Sequence, residues 1–296
     1  MVGTIVKRSI AKGEHPIAHF FHGRRKKLYY GPMGAGKTTK IQADIDYISA
    51  FLEQNPPIEK IELIVFKPAK DTRSFSGEDP STNISSRLTA TPAFAVRNPL
   101  EILDKLRYGS YYVLVYDEAN FGPSSILELI DTVDMHNNLY LIAAGLNLDF
   151  RGRYFPLSDF KATMLDVIRK FDAEEQQQLY AICNKCGKYG ATHTQRISIE
   201  NGVIKPALYY DVLHKVGGNE SYHSRHFWEF EIPGRAEWEI LELLFERKAS
   251  KKSVSLDEVL EISEIPKQVF MQIINRFQEE RIIEVSNGRA MYIKEY

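Results

Sequence analysis

The run Gly31-Pro32-Met33-Gly34-Ala35-Gly36-Lys37-Thr38-Thr39 has the residue types and spacing to hold a triphosphate. It fits G-x-x-x-x-G-K-[ST], the phosphate-binding P-loop. Its glycines let the backbone fold round an oxyanion with no Cβ in the way. Successive N–H groups of Met33, Gly34, Ala35 and Gly36, and the helix N-terminus after them, then face the phosphates of ATP. Lys37 is expected to reach the β- and γ-phosphates, and the Thr38 hydroxyl to help hold Mg²⁺. Asp117-Glu118 follows the apolar run Tyr111 to Tyr116. An acid at a strand end places negative charge beside a P-loop magnesium, so Asp117 is expected on the metal side. Glu118 is then the candidate general base for an attacking hydroxyl. Lys67 and Arg73 bracket a short charged loop. Arg73 is placed to donate to a transferring phosphoryl group, with a solvated charged loop as the lesser alternative on spacing alone.

The elements that must position these groups are legible. Lys27 to Tyr30 reads as a strand before the loop, and Thr39 to Phe51 as a helix after it. Ile61 to Phe66, Tyr111 to Tyr116 and Leu139 to Ala144 read as buried strands. Helical stretches lie near 98–107 and 124–132. Such alternation predicts an α/β fold of the P-loop NTPase type, a mostly parallel sheet with helices on both faces. Ligands in these sheets bind at strand carboxyl ends, where the P-loop, Lys67 and Asp117-Glu118 all fall.

The chain of 296 residues has 44% hydrophobic content and a net charge of −1, which implies no general affinity for nucleic acid or membrane. No apolar run approaches the roughly 18 residues of a membrane span, and no secretory signal opens the chain. The two cysteines, Cys183 and Cys186, share one C-x-x-C. That pattern fits a reducing cytoplasm and a metal site rather than a disulfide scaffold. Residues 1–26 read as a basic, solvated extension, 27–178 as the P-loop domain, 179–232 as a small metal-stabilised lobe and 233–296 as a further domain. In the last, three helices and a hairpin turning at Asn287-Gly288 suggest a winged helix, with Ser255 capping its second helix.

In order, the chain carries GPMGAGKTT (31–39), KPAKDTR (67–73), NISSR (83–87), YDEANF (116–121), GLNLDFRGRYF (145–155), CNKCGKYGATHTQR (183–196) and VGGNESYH (216–223). Across residues 27–230 this sequence resembles the zinc-containing type II thymidine kinases. The resemblance implies transfer of the ATP γ-phosphoryl group to the 5′-hydroxyl of thymidine. Glu118 matches the family's catalytic base. Lys37, Thr38 and Asp117 match its phosphate and Mg²⁺ positions, and Arg73 and Arg196 its basic residues. Met33, Phe121, Leu146, Phe150, Thr194 and Tyr222 match positions that line the nucleoside pocket. Val216, Gly217 and Gly218 open a segment that looks like the family's lasso loop, whose backbone reads the thymine edge. A homotetramer or homodimer and feedback inhibition by dTTP are also implied.

The chain departs from the family in three places. Asn120 stands where the family usually has glutamine, and Gly34-Ala35 where it commonly has Phe-Ser. The second zinc pair is altered as well. Tetrahedral zinc wants four ligands, often two pairs spaced x₂. Cys183 and Cys186 supply one pair, and His223 and His226 are expected as the other, with Glu229 as the alternative to His223. Residues 235–296 lie outside the resemblance and hold ten Lys or Arg against twelve Asp or Glu. That balance favours protein or subunit packing over DNA, although Lys267, Gln268, Gln272 and Arg276 would face a duplex. A nucleotide sensor built on the same core, or another P-loop NTPase or nucleoside kinase, are the alternative readings.

Overall fold

The computed structural model describes residues 16–54, 60–69, 83–85, 90–200, 203–207, 220–231, 233–248, 254–263, 265–279 and 283–292. Six strands form its main sheet: β1 (Lys26–Gly31), β2 (Ile61–Pro68), β3 (Phe94–Val96), β4 (Tyr111–Tyr116), β5 (Leu139–Leu146) and β6 (Gln176–Gln178). Their order is β3-β2-β4-β5-β1-β6, and every pairing is parallel. The central strands are apolar because helices cover both faces. All eight residues of β5 are buried. Registers Gly31↔Leu146 and Phe66↔Tyr116 bring the carboxyl ends of four strands to one rim.

Helix α1 (Pro16–Phe20) precedes β1, α2 (Lys37–Gln54) follows the P-loop, α3 (Ile126–Met135) leads into β5, and α4 (Met164–Arg169) follows it. On α2, Ile41, Ile45 and Ile48 are buried at helical spacing and pack onto Val113, Val115 and Ile142 of the sheet. The expected helix near 98–107 is a 3-10 helix, Pro99–Lys105. Its start is fixed by Pro99 and by a capping box between Asn98 and Glu101.

Two elements differ from the sequence reading. Residues 1–15 lie outside the described part, but from Pro16 onward the extension is not a solvated arm. Ile17 and Phe21 are buried in the main core, with Phe21 4.9 Å from the Tyr140 ring. The basic residues beside them are spoken for. Lys26 Nζ lies 2.7 Å from Asp134 and 3.7 Å from Glu175, and Arg24 lies 3.1 Å from Asp172. The second is β6, three glutamines that extend the sheet beside β1. An edge strand that keeps polar side chains in solvent carries no apolar pattern to read.

The chain separates into two compact units, Met1–Arg196 with Ser221–Phe230, and Ile197–Glu220 with Glu231–Tyr296. In the first, β7 (Ala181–Ile182) and β8 (Tyr189–Ala191) form a small antiparallel pair round the C-x-x-C. Strands β9 (His193–Glu200), β10 (Val203–Pro206) and β11 (Glu220–Arg225) follow. The C-terminal residues form α5 (Arg235–Lys248), β12 (Val254–Ser255), α6 (Leu256–Ser263), α7 (Lys267–Glu279), β13 (Ile283–Ser286) and β14 (Arg289–Tyr292). Ile240, Leu244, Val259, Phe270, Ile274 and Phe277 make their core. Asn287 and Gly288 turn the β13–β14 hairpin at φ of 52° and 69°, as a type I′ turn requires. Ser255 lies in the strand opposite Arg289, and the first N–H of α6, that of Leu256, is bound by the Gly288 carbonyl at 3.0 Å. Among the described residues no helix is long and apolar enough to cross a membrane.

The buried extension makes a prediction. Phe21→Ala should cost about 3–5 kcal/mol of stability, read from urea unfolding midpoints. A loss below about 1 kcal/mol would return the segment to solvent.

Candidate active site

β1 ends at Gly31, where a Cβ would collide with the Leu179 carbonyl oxygen. The loop can pass here only as glycine. Gly34 and Gly36 sit at φ of 74° and 79°, a left-handed conformation that aims N–H groups into the concavity. Lys37, the first residue of α2, is buried, and its Nζ donates to the carbonyls of Gly31 at 3.2 Å and Pro32 at 2.8 Å. The ammonium therefore lies across the mouth of the loop. The Thr38 hydroxyl donates to Asp117 Oδ2 at 3.0 Å. This brings the P-loop and the end of β4 together.

Asp117 is 2% exposed, and its other oxygen accepts the Glu118 N–H at 2.9 Å. Glu118 has φ 55° and ψ 39°. A left-handed non-glycine residue costs about 1–3 kcal/mol and persists where its surroundings hold it, most often at a functional site. The short 3-10 turn Ala119–Phe121 follows, with Asn120 fully buried and accepting from Leu146 N–H at 2.9 Å.

On the other side of the rim lie the residues expected round a nucleoside. Phe150 is 4% exposed, and the buried Arg196 guanidinium stacks 4.1 Å from its ring centroid. The loop that presents Phe150 is folded on Asp149. Its Oδ1 accepts the N–H groups of Arg151 at 2.8 Å and Arg153 at 3.1 Å. Burial pushes the Asp149 carboxyl above its ordinary range, although both amides pull it down. Phe121 meets Phe155 edge-on, with centroids 5.6 Å apart. Thr194 Oγ1 accepts the P-loop N–H of Met33 at 2.9 Å, so one hydroxyl joins the phosphate loop to β9. Leu146 closes β5 and is buried, while Tyr222 is half-buried on β11. Arg73, Val216, Gly217 and Gly218 lie outside the described residues.

A second cluster forms at the β7–β8 pair. Ligand atoms of Cys183, Cys186, His226 and Glu229 all lie within 4.8 Å of one another. The Cys183 thiol donates to Glu229 Oε2 at 2.8 Å. The loop between the cysteines is closed by two further bonds to Cys183. Lys185 N–H points at Cys183 Sγ at 3.4 Å, and Gly187 N–H bonds the Cys183 carbonyl at 2.9 Å. His226 is 5% exposed, and its Nε2 meets no hydrogen-bond partner among the described residues. Two thiols, an imidazole and a carboxylate converging on one point fit zinc. His223 is outside the cluster, with its ring nitrogen 3.4 Å from the Arg225 guanidinium. The geometry thus selects Glu229 over His223. Sequence spacing missed the Trp228 ring stacked on His226, 4.5 Å away and nearly parallel to it. It also missed the Met33–Thr194 and Asn120–Leu146 bonds.

A P-loop, a hydroxyl–carboxylate pair at the end of the strand two places away, and a glutamate on strained backbone beyond it define a P-loop kinase. The family model described as thymidine kinase matches residues 25–227, and the chain belongs to that family. It is 33% identical over 207 residues to a thymidine kinase of Pyrobaculum aerophilum, covering 69% of this chain and 96% of that protein. A thymidine kinase of Coprothermobacter proteolyticus is 36% identical over 178 residues, 60% of this chain and 80% of that one. One of Mycoplasma genitalium is 32% identical over 197 residues, 66% and 78%.

The metal cluster is tested by elemental analysis. About one zinc per chain is expected, since four donors of this type close one tetrahedral site. Glu229→Ala should strip most of it and His223→Ala little. The reverse order would restore His223 as the ligand.

Proposed function

We propose that this chain transfers the γ-phosphoryl group of ATP to the 5′-hydroxyl of thymidine, giving dTMP. The carrying observation is the Thr38–Asp117 contact beside Glu118, which gathers phosphate, metal and proton-accepting groups at one rim. The P-loop amides and Lys37 hold the β- and γ-phosphates. Thr38 Oγ1 and Asp117 Oδ2 are hard oxygen donors suited to Mg²⁺, which would offset charge on the transferring group. Glu118 takes the proton of the 5′-hydroxyl as that oxygen attacks the γ-phosphorus, and ADP leaves. Arg73 adds positive charge on the phosphoryl group. Thymine lies against Phe150, whose ring Arg196 holds from its other side, with Met33, Phe121, Leu146, Thr194 and Tyr222 around the nucleoside. Val216 to Gly218 read the base edge through their backbone.

The zinc set of Cys183, Cys186, His226 and Glu229 ties the β7–β8 knuckle to the end of β11, a structural cross-link rather than a reagent. Family likeness supports a cytoplasmic homo-oligomer inhibited by dTTP. The C-terminal residues have the element order of a winged helix. On α7, Lys267, Gln268 and Gln272 are exposed while Arg276 is half-buried and pairs with Glu237 at 3.0 Å, a surface poor in free cations among the described residues, which supports a protein-packing role over DNA.

The experiment is phosphoryl transfer from γ-labelled ATP to a panel of nucleosides, with Glu118→Gln as control. Labelled dTMP is expected from the wild type. The variant should keep ATP affinity and lose about 10²–10⁴-fold in turnover, the usual contribution of a general base. Binding of both ligands with no transfer would make the chain a sensor. ATP hydrolysis independent of thymidine would make it an NTPase.

A further inference from the structure

Glu118 is held in a left-handed conformation, and something must keep it there. Its own N–H is bonded to Asp117 Oδ1, which constrains one side. Beyond it, Phe121 N–H closes the 3-10 turn on the Glu118 carbonyl at 2.9 Å, and Gly122 N–H bonds the Ala119 carbonyl at 3.0 Å. These bonds are internal to the turn, so they define its shape but not its place on the sheet.

The Asp117 N–H bonds the Phe66 carbonyl at 3.2 Å and the Gly122 carbonyl accepts the Ser158 N–H at 2.8 Å, and between these two ends the turn is tied to β5 by Asn120. The side chain is fully buried, and Oδ1 accepts the N–H of Leu146, the last residue of β5, at 2.9 Å. Its Nδ2 finds no acceptor among the described residues, so the oxygen carries the contact. The fit under the turn is close. A Cβ at Gly145 would come within 3.1 Å of Asn120 Oδ1 and 3.2 Å of its backbone nitrogen. The turn that bears the candidate base therefore rests directly on the strand end that supplies Leu146 to the nucleoside pocket. One side chain indexes both to the same backbone.

We infer that Asn120 is a positioning residue for Glu118, fixing the carboxylate relative to the nucleoside hydroxyl through the Leu146 N–H. The inference rests on the kinase reading above. It assigns Asn120 no contact with substrate. Removing the acceptor leaves the buried Leu146 N–H unpaired and frees the turn, so the base loses its aim while the P-loop keeps its phosphate grip.

A double-mutant cycle separates this from general weakening of the fold. Turnover, the KM for thymidine and direct ATP affinity are measured for the wild type, Asn120→Ala, Glu118→Gln and the double variant. Asn120→Ala should lower kcat by about tenfold or more and leave ATP affinity within about twofold. In the Glu118→Gln background the same change should cost less than about twofold, because the group being aimed is gone. An equal loss in both backgrounds, or an unchanged kcat in the first, would overturn the inference. Should Asn120→Ala not fold, Asn120→Ser is put through the same cycle and judged by the same criterion. Absence of transfer by the wild type would instead refute the kinase reading.

Discussion

The hydrogen bond from Thr38 to Asp117 is the contact on which the rest of the architecture converges. It joins the first turn of a helix to the end of a strand two places away in the sheet. For it to form, β1 and β4 must run parallel with β5 between them, and their ends must come level. The registers of β1 on β5 and of β5 on β4 provide this. A slip of one residue would invert every side chain between the two faces and separate hydroxyl from carboxylate. The buried, β-branched and aromatic content of these strands is thus a condition of the chemistry as well as of stability.

Much of this was legible in the chain. The P-loop glycines, the apolar strands before the loop and before Asp117, and the hairpin at Asn287-Gly288 have local causes, and local causes leave patterns. Other features are set by distant contacts. Gln176 to Gln178 form a strand only because β1 offers a free edge. Ile17 and Phe21 are buried because α2 and β5 leave a face open between them, which nothing in the basic run beside them announces. The metal cluster lies between these cases. Its C-x-x-C was plain, but the choice between His223 and Glu229 turned on strand geometry. Side chains at successive even positions of a strand share a face, and β11 ends before His226, so the regular x₂ spacing from His223 does not carry into the cluster.

The departures from the family pattern also acquire physical content. Gly34-Ala35 replaces a pair with a bulky member, yet the loop depends on backbone amides, and a Cβ at Gly34 would meet nothing within 4 Å. Asn120 is different, since its shorter side chain lies against Gly145, where a Cβ would come within 3.1 Å of its Oδ1.

The Met33–Thr194 bond carries a thermodynamic consequence. A P-loop amide is held by the Thr194 hydroxyl, which the proposed reading also sets beside the nucleoside, and on that reading the two substrates share a mechanical element. Any rearrangement of that hydroxyl on nucleoside entry is felt by the phosphate loop, and the reverse holds. Linkage then requires symmetry: whatever factor one substrate contributes to the affinity of the other through this bond, the other returns in full. Which substrate arrives first leaves that shared free energy unaltered.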